Sequence, residues 1–156
     1  VFLGGAAVQS CVTADGKMAL ASVFDGKRVA LYQTETGQLD FVNLPSEAKG
    51  PLQLYATPDS RFVYVADQGY YLNQPVGEHV YKIDLATKRV LATIKTGKAP
   101  HGVVVAKDGR LVYVSNLLSD DISLIDTASD QEIARIPVGK EPNGISLWSA
   151  QSGGTP

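Results

Sequence analysis

Apolar residues fall in short runs separated by turn-forming clusters, and no window of useful length carries an apolar period of 3.6 residues, so essentially no helix is expected. The clearest runs predict strands at 102–106, 111–115, 122–126 and 132–138, rich in Val, Ile, Leu and Tyr. Asp-Gly, Asn, Ser-Asp and Gly-Lys turn signals divide them. The first two runs are almost continuously apolar (Val103-Val104-Val105 and Leu111-Val112-Tyr113-Val114), the pattern of strands covered on both faces. The last alternates and carries Pro137, which donates nothing to a ladder and so belongs on a sheet edge.

The same pattern occurs three times. Ala14–Ala21, Pro58–Val65 and Lys107–Val114 align, with Asp15, Asp59 and Asp108 separated by 44 and 49 residues. A second landmark runs through Leu31-Tyr32-Gln33-Thr34, Lys82-Ile83-Asp84-Leu85 and Leu124-Ile125-Asp126-Thr127, at spacings of 51 and 42. One insertion of about seven residues in the second unit reconciles both series. A third landmark, Gly97-Lys98-Ala99-Pro100, returns 42 residues later as Gly139-Lys140-Glu141-Pro142, with Lys49-Gly50-Pro51 as a looser copy.

Four strands in a repeat of this length predict an all-β fold of β-propeller blades. Three blades of four antiparallel strands are expected at about 6–45, 51–97 and 100–139, with the inner strand of a fourth at about 142–149. Phe62-Val63-Tyr64-Val65-Ala66-Asp67, Leu111-Val112-Tyr113-Val114-Ser115-Asn116 and Ile122-Ser123-Leu124-Ile125-Asp126-Thr127 resemble the signature of the YVTN-type propeller family. The first unit departs from it, with Leu20-Ala21-Ser22 and Gln33 at the matching places. The resemblance implies a periplasmic or extracellular address and a ring larger than three blades. Blades bury their faces only against neighbours. The expectation is therefore that this arc, a C-terminal half ending in a Ser-Gly-Gly-Thr-Pro tail, is completed by blades of the same parent chain or by a second copy.

Composition narrows the partners. Hydrophobic residues make up 44% and charged residues 19%, as in a folded globular protein. The net charge of −2 offers no basic face for nucleic acid, and no apolar run approaches the ~20 residues that span a bilayer. Cys11 is the only cysteine, which excludes an intrachain disulfide and cysteine metal pairs.

Alternation of strand direction puts the second-to-third strand loops and the blade-to-blade connections on one face. The Asp15, Asp59 and Asp108 hairpins lie on the other. The insertion Gly69–His79 and the Pro100-His101-Gly102 connection therefore share a face, which brings His79 and His101 to one side of adjacent blades. Tyr70 and Tyr71, with nearby Asn, Gln and Glu, have the composition of a recognition loop. His101, His79, Tyr70, Tyr71, Asn116 and Asn143 are the candidate ligand contacts. No metal is assigned, since a site needs more than two histidines. Asp67, Asn116, Asp120 and Asp121 offer oxygens but no Asp-x-Asp-x-Asp-Gly calcium loop. Asp84 and Asp126 are expected to hold turn amides. No nucleophile or phosphate-loop motif occurs. The reading is a scaffold binding a protein or small molecule on the face with the 69–79 insertion, cofactor unknown. The alternative is part of a propeller enzyme: a haem or copper oxidoreductase of the nitrite or nitrous oxide reductase type, or a lactonase.

Overall fold

A computed structural model describes residues 1–147. It contains three antiparallel sheets of four strands, each in sequence order. The first is β1 (Ala7–Val12), β2 (Met18–Val23), β3 (Arg28–Gln33) and β4 (Leu39–Asn43). The second is β5 (Pro51–Ala56), β6 (Phe62–Asp67), β7 (His79–Asp84) and β8 (Arg89–Lys95). The third is β9 (Pro100–Val105), β10 (Leu111–Asn116), β11 (Asp121–Asp126) and β12 (Gln131–Pro137). The sole helical piece among the described residues is a 3-10 turn at Tyr71–Asn73. Despite its weaker motif, the first unit builds a complete sheet. Pro137 closes the outermost strand, opposite Asp121.

The sheets stand side by side like blades. Contacts between them gather at the first strands, β1 against β5 and β5 against β9. The joint between the first two blades buries Leu20, Val29, Leu31 and Val42 against Leu54, Val63, Val65, Tyr81 and Ile83. The next buries Tyr64, Ala66, Val80 and Ile94 against Val103, Val105, Val112, Val114 and Ile125. Each buried Val, Leu or Ile among them contributes about 1.5–3 kcal/mol. β6 is apolar on both faces because alternate residues enter different joints: Val63 and Val65 face the first blade, Tyr64 and Ala66 the third.

Polar groups lock the same joints. Lys82 Nζ, on β7, donates to Asp130 at 2.7 Å and to the Thr127 carbonyl at 3.1 Å in the third blade. Its ammonium lies 4.6 Å from the centre of the Phe62 ring. Lys88 reaches Asp40 of the first blade at 2.6 Å. Ser22 Oγ donates to the Leu52 carbonyl at 2.6 Å, and the Leu54 amide donates to Gln9 Oε1 at 2.6 Å.

The β1–β2, β5–β6 and β9–β10 hairpins turn through left-handed residues at matching places, Gly16 (φ 72°), Ser60 (φ 60°) and Gly109 (φ 75°). Asp15 and Asp59 fix two of them by accepting from the Thr13 hydroxyl at 2.7 Å and the Thr57 hydroxyl at 2.5 Å. Asp84 and Asp126 do what their positions promised. Asp84 accepts from the Ala86 and Thr87 amides at 2.9 and 2.8 Å, Asp126 from the Ser129 amide at 2.9 Å. Gln33 lacks that carboxylate; there the Gly37 amide donates to the Gln33 carbonyl at 2.9 Å and the Gln38 amide to the Thr36 hydroxyl at 3.3 Å.

The expected inner strand of a fourth blade is not formed over its described part. Residues 142–147 carry no strand, because no second strand is present among the described residues to pair with them. Residues 148–149 and the Ser-Gly-Gly-Thr-Pro tail lie outside the described residues. The segment still passes beside β9. A β-carbon on Gly102 would meet Ile145 Cγ2 at 3.0 Å and Ser115 Oγ at 2.9 Å, so only glycine lets it approach.

Among the described residues no further sheet packs on the outer flanks of the first and third blades. On the first, pairing puts Ala19, Ala21, Ala30, Tyr32 and Phe41 on the open side, with the Arg28 guanidinium 4.1 Å from the Phe41 ring centre. On the third, Tyr113, Leu124 and Ala134 share a face with Ser115, Ile122 and Ile136. The first flank sets three alanines beside Tyr32 and Phe41, whereas the third carries Tyr113, Leu124, Ile122 and Ile136.

Candidate functional site

The β6–β7 loop, residues 68–78, closes on itself. The Gly77 amide donates to the Gln68 carbonyl at 2.8 Å, and the Gln68 and Gly69 amides donate to the Gly50 carbonyl at 3.0 and 3.2 Å. Two glycines make this possible. Gly69 has φ 66°, and a β-carbon there would stand 2.1 Å from the Pro75 carbonyl oxygen. At Gly77 it would stand 1.7 Å from the Asp67 carbonyl oxygen. The result is a compact loop pinned at both ends. Its tip holds Tyr70 and Tyr71 out at 48% and 45% exposure, beside exposed Asn73, Gln74, Pro75 and Val76.

Beneath the loop, Asp67 is fully buried and gathers the preceding connection. Its carboxylate accepts from the Lys49 amide at 2.8 Å, the Gly50 amide at 2.6 Å and the Tyr81 hydroxyl at 3.3 Å. Burial and the neighbouring Asp67 charge push the Tyr81 hydroxyl well above its ordinary pKa. Asn116 holds the matching place in the third blade and is also buried. Its Nδ2 donates to Asp121 Oδ1 at 2.7 Å and to Ser123 Oγ at 2.8 Å. Gly97 rests on that amide, since a β-carbon would lie 2.7 Å from Nδ2. Asn116 is enclosed by its surroundings, its Oδ1 without a partner among the described residues, and Asp121 serves the same buried network.

The insertion loop and the blade-to-blade connections do share a face. The Ala99 amide donates to the Gly77 carbonyl at 2.8 Å and the Thr96 amide to Glu78 at 2.9 Å. On that face Tyr71 crosses from the second blade to the third, meeting His101 edge-on with ring centres 6.0 Å apart. Tyr70 packs on Tyr71 at 6.2 Å. His101 is half-buried on β9, its Nδ1 shielded and without a partner among the described residues. Burial holds its pKa below the usual histidine range, against a smaller opposite pull from the Asn143 backbone. Asn143 is exposed. His79 is not part of the loop tip. It opens β7, opposite Asp67, and stacks on Tyr81 with ring centres 6.5 Å apart. Each histidine is thus engaged with its own tyrosine. Among the described residues no three His, Cys, Asp or Glu side chains are grouped to hold a metal. No described helix is long and apolar enough to cross a membrane.

Tyr71 and His101 border an open depression of about 400 Å³, completed by Val8, Gln9, Phe24, Leu52 and Gln53. Phe24 forms part of its wall and is fixed by Gly50, where a β-carbon would meet the ring at 2.4 Å. Sequence reasoning reached His101 and Tyr71 but missed the other lining residues. The signal was in the repeat: Val8, Leu52 and His101 hold equivalent positions, as do Gln9 and Gln53, all near the start of a blade's first strand.

A family model described as YNCE-like beta-propeller matches residues 4–152. No curated protein matches the chain. Among solved structures, Kuenenia stuttgartiensis hydrazine synthase superposes with a TM-score of 0.76 at 21% identity, over 92% of this chain and 41% of that one. The chain thus spans less than half of that structure, and a likeness at this identity speaks to the fold alone.

Proposed function

The chain belongs to the YNCE-like beta-propeller family, and from that premise we propose that it is an extracytoplasmic binding scaffold with repeats of the YVTN type. The ligand, a small molecule or a protein, docks on the face carrying the 69–79 insertion. Remaining blades, from the parent chain or a second copy, complete the ring around it.

One observation carries this reading. The insertion presents two tyrosines on a loop whose ends Gly69 and Gly77 lock, and one of them, Tyr71, reaches across a blade joint to His101. A pinned aromatic loop binds without paying again for its own ordering.

The test is a fragment and peptide library screened against the intact protein by chemical-shift mapping. Hits should perturb residues 69–79 and 101 and vanish in the Tyr70→Ala/Tyr71→Ala variant. Hits that cluster elsewhere, or survive the double substitution, overturn the assignment of the face. A haem or copper band in the visible spectrum of the purified protein would return the oxidoreductase alternative in its place.

A further inference from the structure

The depression beside Tyr71 has a chemistry of its own. None of its seven lining residues, Val8, Gln9, Phe24, Leu52, Gln53, Tyr71 and His101, is an acid, a lysine or an arginine. An ion placed there would give up part of its hydration and gain no counter-charge. His101 does not supply one near neutral pH, because burial favours its uncharged form. The walls are instead aliphatic (Val8, Leu52) and aromatic (Phe24, Tyr71), the surface on which a flat ring loses the most water-exposed area.

Two primary amides set the polar requirement. Gln9 Oε1 already accepts the Leu54 amide at 2.6 Å, so the end of Gln9 left for a visitor is its NH₂ group. The Gln53 side chain, one blade on at the same place in the repeat, makes no hydrogen bond among the described residues and is half-buried. Donors of this kind are satisfied by carbonyl oxygens. At about 400 Å³ the space lies within the range of small-molecule pockets and suits one or two fused rings.

We propose that the depression between Val8, Leu52, Phe24, Tyr71 and His101 takes an uncharged, flat, ring-bearing molecule with carbonyl oxygens, its ring against Tyr71 and its oxygens on the Gln9 and Gln53 amides. This deepens the proposed binding face and rests on it. The shape is concave and charge-free, which favours a small molecule over a protein surface, whose rim is ordinarily polar and charged.

The probe is coumarin, a neutral bicyclic lactone, followed by saturation-transfer NMR on the intact protein, with coumarin-3-carboxylate and naphthalene as controls. Coumarin should bind and shift the ring resonances of Tyr71 and His101. The carboxylate should bind at least about tenfold more weakly, for want of a counter-charge, and naphthalene about tenfold more weakly, for want of an acceptor. Val8→Asp, at an exposed rim position, and Gln53→Leu should each weaken coumarin by a similar factor while the thermal transition is retained. Equal binding of the three compounds, indifference to both substitutions, or no coumarin binding at all overturns the proposal. If coumarin fails while library hits still map to residues 69–79, the ligand class falls and the binding face stands. If library hits are absent there too, both fall.

Discussion

Lys82 Nζ lies 2.7 Å from the Asp130 carboxylate across the joint between the second and third blades, with the lysine side chain only 9% exposed. The two partners are not equivalent. Asp130→Ala leaves a buried ammonium with one carbonyl for company and should cost about 2–4 kcal/mol. Lys82→Met puts an apolar chain of similar length between Phe62 and Tyr64 and should cost under about 1 kcal/mol. Urea denaturation of both variants measures the asymmetry. Equal losses would mean that the pair acts as a surface contact.

Asp67 and Asn116 occupy the same place in successive blades but solve it differently, by accepting amides in one case and donating an amide in the other. Asp67→Ala strips the Lys49 and Gly50 amides of a charged acceptor and should destabilise by about 3 kcal/mol. Asp67→Asn keeps one acceptor oxygen and should lose about half as much. Hydrogen exchange at the Lys49 and Gly50 amides is the direct readout, and unchanged protection in the alanine variant would contradict the role assigned here.

Gly77→Ala forces a β-carbon into the Asp67 carbonyl, which only movement of the loop base relieves. A loss of about 2 kcal/mol or more is expected. Limited proteolysis should then cut first within 70–76. Intact loop resistance in this variant would show that the pin is dispensable.

Acid should weaken the fold in two steps. The unfolded chain protonates its histidines near pH 6.5, whereas native His101, its pKa lowered, protonates only further down. Between those values the unfolded state holds more protons, so stability drops as pH falls through that window. His101→Gln should flatten this part of the profile. Below about pH 4 a second decline follows. Asp15, Asp59, Asp84 and Asp126 are held below the usual carboxylate range, chiefly by hydrogen bonds from the Thr13 and Thr57 hydroxyls, the Thr87 amide and the Ser129 hydroxyl. The support they give is present above their unfolded pKa and is lost as pH falls through the lowered native values. Urea midpoints taken from pH 7.5 to 3 trace both steps. A His101→Gln profile parallel to the parent's removes the first.

Much of the architecture was legible because it is local and repeated. Asp-Gly hairpins, Asp84 and Asp126 at their turns, and the edge position of Pro137 follow from chemistry within a few residues. The sharing of one face by the insertion and by Pro100-His101-Gly102 follows from strand alternation alone. What could not be read depended on partners distant in the chain. Residues 144–148 have the composition of a strand, but a ladder needs a second strand, and 142–147 have none. Nothing near Lys82 announces that Asp130 neutralises it. Nor does the sequence around Asn116 announce that its amide donates to Asp121 and Ser123. In sequence His79 ends the insertion, whereas pairing with Asp67 makes it the first residue of β7.

The unlike flanks of the arc give it a polarity. On one, Ala19 and Ala30 lie directly beside Tyr32 and Phe41. On the other, Tyr113 pairs with Leu124 and Ile122 with Ile136. The two ends therefore offer a further blade different side-chain relief, so a blade that fits one end does not fit the other unchanged.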